Sequence, residues 1–136
     1  MGTSQYETLA APLNELMAEV LVAEDNPLNF ELVRDLLDAR GHTVEWARDG
    51  EEALAKARSG KYDLLLLDLH MPRMDGLQVV RALRAAPPSR PLKVIALTAD
   101  AMAGVRDDLF AAGVDGYVSK PLDLRALIRE MESVGV

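Results

Sequence analysis

Five short strand-like runs punctuate the chain, and a stretch with helical spacing follows each. The plainest run is Leu64-Leu65-Leu66-Leu67, which ends on Asp68 and reaches Pro72 soon after. An unbroken apolar run of that length, bounded by turn residues, predicts a central strand of a parallel sheet, buried on both faces. Val20-Leu21-Val22-Ala23 has the same character and ends in Glu24-Asp25-Asn26-Pro27. Thr43-Val44-Glu45-Trp46-Ala47 alternates in polarity and is β-branched and aromatic, the signature of an edge strand. A fourth strand from Pro91 to Leu97 ends on Thr98, and a fifth from Gly113 to Val118 ends at Ser119-Lys120-Pro121.

The intervening stretches read as helices. Asn26 is placed as an N-cap with Pro27 at the first helical position. Leu28, Leu32 and Leu36 then form one stripe, with Val33 and Leu37 beside it, and Arg40-Gly41 stops the helix. Asp49-Gly50 turns the chain into an alanine-rich helix from Glu51 to Ser59 that packs through Ala53, Leu54 and Ala57. Met74-Asp75-Gly76 leads into a helix through Leu77, Val80 and Leu83, closed by Pro87-Pro88. A helix from about Ala101 to Ala112 faces Met102, Val105 and Leu109 inward, and a last helix from about Asp123 buries Leu124, Leu127, Ile128 and Met131. Strict strand–helix alternation with short connections predicts a parallel sheet wrapped on both faces through right-handed crossovers. The length and five units suit a flavodoxin-like (βα)5 doubly wound sheet in the order 2-1-3-4-5. Residues 1–18 are set apart as an N-terminal linker or docking arm, broken by Pro12, and residues 19–136 form one domain.

Composition narrows the function more than the fold. A chain of 136 residues with 49% hydrophobic and 27% charged residues has the make-up of a soluble globular domain. A net charge of −7 argues against a nucleic-acid-binding face, and the absence of cysteine removes thiolate metal sites and cysteine nucleophiles. No stretch approaches the roughly 20 apolar residues of a membrane span, which makes the cytoplasm the expected location.

In a parallel sheet every strand sends its C-terminal end to the same rim, so Glu24, Asp25, Asp68, Thr98 and Lys120 are expected to converge beside the switch point between strands 1 and 3. Three carboxylates there repel one another, so one of them should hold a raised pKa unless a cation intervenes. Lys120 offers one positive charge against three negative ones, leaving a deficit that a divalent ion would meet. An all-oxygen donor set favours a hard cation, Mg²⁺. Carboxylates with Mg²⁺, a lysine and a hydroxyl are the groups needed to handle a phosphoryl group. Asp68, on the central strand, is the better nucleophile, and Glu24 and Asp25 are the better metal ligands.

Glu24-Asp25, Asp68 with Met71-Pro72 and Asp75-Gly76, Thr98-Ala99, Tyr117 and Lys120-Pro121 stand in an order and spacing that resembles the receiver domain of two-component response regulators, from about Glu19 to Met131. The wording Val22-Ala23-Glu24-Asp25-Asn26, Asn29 and Ala96 to Met102 looks most like receivers attached to hybrid histidine kinases. The resemblance implies a phosphorelay component whose Asp68 takes a phosphoryl group from a phosphohistidine on a histidine kinase or histidine phosphotransfer domain, and which catalyses its own phosphorylation and dephosphorylation. Asp25 and Asp68 would bind Mg²⁺ directly, Glu24 through water, and the His70 backbone carbonyl would complete the protein ligands. Thr98 and Lys120 would hold the phosphoryl oxygens. Thr98 and Tyr117 would switch the surface around the fourth helix, fifth strand and fifth helix, in a monomer or weak dimer. A cis bond before Pro121 is also implied.

Blander readings accompany each residue. Asp68 alone is a turn cap, Glu24-Asp25 an acidic helix start, Thr98 an N-cap, Lys120 a solvated charge and Tyr117 edge-strand packing. His42 reads as a surface residue beside a helix end, whereas His70 and Asp100 should flank the site. A haloacid-dehalogenase phosphatase would carry a second Asp where His70 stands, and a dinucleotide fold would carry Gly-x-Gly-x-x-Gly where Glu24-Asp25-Asn26-Pro27 stands. A receiver-like interaction module acting without phosphorylation remains the alternative function.

Overall fold

The leucine run does become the middle of the molecule. In the computed structural model, which describes residues 17–99 and 103–136, five parallel strands pair in the order β2-β1-β3-β4-β5. They are β1 (Glu19–Ala23), β2 (Thr43–Ala47), β3 (Leu64–Asp68), β4 (Lys93–Thr98) and β5 (Gly116–Ser119). The helices are α1 (Pro27–Ala39), α2 (Gly50–Ala57), α3 (Gly76–Ala85), α4 (Ala103–Ala112) and α5 (Leu124–Ser133). This is the flavodoxin-like order expected of the alternating pattern.

Period-two alternation sorts β3 between two cores. Leu65 and Leu67 join Leu21, Val94 and Ala96 under α2, α3 and α4. Leu64 and Leu66 join Val20, Val22, Ile95 and Leu97 under α1 and α5. All five residues of β3 are buried, Asp68 included. The register sets Leu67 beside Ala23 and Ala96, and Asp68 beside Leu97, so the end of β3 lies level with the ends of β1 and β4.

Several local expectations are corrected. The buried stripe of α1 is Phe30, Val33 and Leu37, while Leu28 and Leu32 are 75% and 47% exposed. Phe30 stacks on Trp46 of β2 with ring centroids 4.6 Å apart, and this contact turns the leucine row outward. His42 is buried rather than a surface residue: its Nδ1 accepts from the Ala18 N–H at 3.0 Å, while Thr43 N–H donates to the Ala18 carbonyl at 3.0 Å. Burial, with Arg40 adding to it, lowers the His42 pKa. Asp49 and Asp75 are helix N-caps rather than simple turn residues, Asp75 in a reciprocal capping box with Gln78. Leu124 and Ile128 of α5 are half-buried, whereas Leu127 and Met131 are fully so. Gly41, at φ +87°, occupies the left-handed position after α1. Of the proposed arm, only Met17 and Ala18 are described, and Ala18 packs into the core. Met102 and Asp100 lie outside the described residues.

Candidate functional site

Glu24, Asp25 and Lys120 meet around Asp68 at the rim. This carboxylate is 1% exposed and is held from two sides: Oδ2 accepts from Lys120 Nζ at 2.8 Å, and Oδ1 accepts from the His70 backbone N–H at 3.0 Å. Glu24, 3% exposed, and exposed Asp25 bring carboxylate oxygens that lie, with one from Asp68, within 4.8 Å of one another. The expected raised pKa falls on Glu24, pushed up to about 7 by its burial first, then by its hydrogen bond to Asp68 and the Asp68 charge. The Asn26 N–H and Lys120 pull it partly back. Near neutral pH the Glu24 carboxyl is therefore partly protonated, and this lessens the repulsion that the three carboxylates create.

Backbone contacts position these side chains. The Lys120 N–H donates to the Thr98 carbonyl at 2.6 Å, tying the end of β5 to the end of β4. Lys120-Pro121 is cis, as the resemblance implies. The Glu24 N–H donates to the Ala47 carbonyl at 3.0 Å, and the Trp46 indole N–H donates to the Glu24 carbonyl at 2.7 Å. Trp46 was not a candidate in the sequence, because an aromatic on an edge strand reads as packing. Thr98 is 1% exposed, and with Leu69, His70, Asp75, Leu77 and Val105 it lines a cavity of about 320 Å³ beside Asp68. His70 is exposed, so it does flank the site.

Tyr117 lies on β5 level with Ala96, two residues short of the rim. It is half-buried, meets Phe110 of α4 edge-on at 6.3 Å, and has the Arg106 guanidinium 5.3 Å from its ring centroid. Its backbone N–H donates to Glu130 of α5 at 2.9 Å. The ring thus lies against α4, in the surface that the resemblance connects with switching.

A buried strand-end aspartate, held by a lysine and faced by two further carboxylates, is the arrangement expected of a receiver domain. The profile of the response regulator receiver domain matches residues 20–132, and the chain belongs to that family. It is 39% identical over 114 residues to the polar-differentiation response regulator DivK of Brucella anthropi, covering 84% of this chain and 93% of DivK. It is 36% identical over 110 residues to the signal transduction histidine-protein kinase BarA of Shigella flexneri, covering 81% of this chain but 12% of BarA. Among solved structures, the receiver domain of sensor histidine kinase PA1611 from Pseudomonas aeruginosa, with a magnesium ion coordinated in its active-site cleft, superposes with a TM-score of 0.77 at 34% identity. The match covers 88% of this chain and 99% of that one. Among the described residues, no helix is long and apolar enough to cross a membrane.

Proposed function

We propose that this receiver accepts a phosphoryl group on Asp68 from a phosphohistidine, in the presence of Mg²⁺, and transmits the change through α4, β5 and α5. The observation that carries the reading is the setting of Asp68: buried, one oxygen on Lys120, the other on the His70 N–H, with Glu24 and Asp25 alongside. The grouped carboxylates suit Mg²⁺, which Asp25, Asp68 and the His70 carbonyl would hold directly and Glu24 through water. When bound, the ion would supply charge neutralisation for the phosphoryl oxygens. The magnesium in the receiver of PA1611 supports the same assignment.

In the transfer, a carboxylate oxygen of Asp68 attacks phosphorus as the N–P bond breaks. The donor imidazole, already protonated on its other nitrogen, takes back the electron pair of that bond and leaves neutral. Lys120, released from Asp68 Oδ2, turns to a phosphoryl oxygen, and the Thr98 hydroxyl donates to another. Contacts made better in one arrangement of Thr98 and Tyr117 shift the population toward it. The donor is a histidine kinase or histidine phosphotransfer domain in the cytoplasm, met by a monomer or weak dimer. The BarA match, to a histidine kinase, supports that partner class.

Incubation with Mg²⁺ and phosphoramidate, followed by intact-mass measurement, tests the reading. One phosphoryl adduct is expected, and none in Asp68→Asn. An adduct that persists in Asp68→Asn, or none in the parent protein, overturns it.

A further inference from the structure

We infer that Asp49 and Gly50, at the start of α2, are positioning residues for the phosphoacceptor, acting through the loop between β3 and α3. The inference rests on the function proposed above for its catalytic readout but has a structural readout of its own.

The loop runs from Leu69 to Asp75 and carries the His70 N–H that holds Asp68 Oδ1. At its neck, the Gly76 N–H donates to the Leu69 carbonyl at 3.3 Å, so the two ends of the loop meet. The neck is tight: a Cβ on Gly76 would lie 2.9 Å from Leu69 Cα. The tip is fixed elsewhere, on α2. A Cβ on Gly50 would overlap the Met74 carbonyl oxygen, and would lie 2.7 Å from the Met74 carbonyl carbon and 2.8 Å from its Cβ. Backbone therefore rests directly on backbone at this point, which only glycine permits. Next to it, Arg73 adopts φ +73°, a left-handed conformation that costs a non-glycine residue energy and persists where surroundings enforce it. The surroundings include Asp49, whose Oδ2 lies 3.5 Å from Arg73 Nε while its Oδ1 caps α2 through the Glu52 N–H at 2.8 Å.

A loop this short, fixed at neck and tip, transmits a displacement at Met74 to His70, because it has no slack to absorb it. An added methyl group at Gly50 must push the Met74 carbonyl away. The His70 N–H, and the His70 carbonyl expected to face Mg²⁺, move with it. Loss of that geometry weakens an orientation-dependent reaction more than it weakens the fold.

The test compares Gly50→Ala with Gly104→Ala, a glycine of α4 with nothing within 4 Å of an added Cβ. The amide proton of His70, followed by NMR in metal-free protein, is expected to move upfield in Gly50→Ala as its bond to Asp68 lengthens, and to stay in place in Gly104→Ala. Phosphorylation by phosphoramidate with Mg²⁺ should slow by at least about tenfold in Gly50→Ala. A folded Gly50→Ala with the parent His70 shift and the parent rate overturns the inference. Should Gly50→Ala fail to fold, Arg73→Gly decides: it keeps the left-handed backbone and removes the tie to Asp49. A shifted His70 amide is then expected, and an unchanged one overturns the inference. Absence of phosphorylation in the parent protein would count against the proposed function alone, since the His70 shift reports on the loop either way.

Discussion

Lys120→Ala, combined with Asp68→Asn, measures how the site balances its charges. At 2.8 Å and an effective dielectric of about 20, the Lys120–Asp68 attraction amounts to about 6 kcal/mol. Desolvation of a carboxylate that is 1% exposed offsets several of these, and the 26% exposure of Lys120 adds water screening. The surplus is a coupling of about 2 kcal/mol. Lys120→Ala alone leaves Asp68 buried with no cation beside it, and should lower the unfolding free energy by about 3 kcal/mol. Asp68→Asn alone should be neutral or stabilising, because two of the three effects that raise the Glu24 pKa disappear with the Asp68 charge. The double variant should then lie about 1 kcal/mol below Asp68→Asn, rather than the roughly 3 kcal/mol below it that the sum of both changes would give. Urea unfolding at pH 7.5 in EDTA, followed through Trp46, the single tryptophan, gives all four free energies. Additivity within about 0.5 kcal/mol would refute the reasoning, for it would mean that Lys120 does little for Asp68 in the metal-free protein.

Glu24 makes the metal-free protein lose stability as pH rises. Its folded pKa of about 7 lies above the ordinary 4.5, so its contribution is complete below about 4.5 and is lost as pH passes through about 7. Thermal melts in EDTA at pH 5 and pH 8 should show this, and Glu24→Gln should flatten the difference; a slope unchanged in Glu24→Gln would assign it to another group. His42 acts in the opposite sense: its folded pKa lies below 6.5, so its contribution is present above that value and fades as pH falls through the lowered one. Urea midpoints from pH 7 to pH 5 should fall more steeply in the parent than in His42→Gln, and equal slopes would remove His42 from the account. Leu66→Ala, in the middle of β3, should cost about 3–4 kcal/mol, whereas Leu28→Ala on the outer row of α1 should change stability by no more than about 0.5 kcal/mol. Denaturation midpoints that rank the two the other way would restore the inward leucine stripe.

The order of the sheet was legible because periodicity and length decide it. A four-leucine run cannot lie on an edge without exposing one face, and Thr43–Ala47, with its alternation, can. The facing of α1 was not legible from the same kind of evidence. Two rows of apolar residues, Leu28-Leu32-Leu36 and Phe30-Val33-Leu37, both satisfy helical spacing, and the choice between them depends on Phe30 finding Trp46 across a gap of sixteen positions in the chain. The burial of His42 is illegible for a related reason: a lone histidine after a helix gives no sign that Ala18, just before β1, will bring its N–H to Nδ1.

The candidate site divides along the same line. Its acidic, basic and hydroxyl groups stand at strand ends, and a parallel sheet carries strand ends to one rim whatever the intervening sequence is. What holds those groups in place is mostly main chain. The Lys120 N–H meets the Thr98 carbonyl, the Trp46 indole meets the Glu24 carbonyl, the His70 N–H meets Asp68, and the Met74 backbone rests on Gly50. A main-chain group is the same at every position, so none of these contacts leaves a chemical signature in the sequence. The one trace is negative: a residue without a side chain, Gly50, just after an N-cap. Where a strand-end site is recognised from its side chains, the glycines that face its loops are therefore the places to look for the residues that position it.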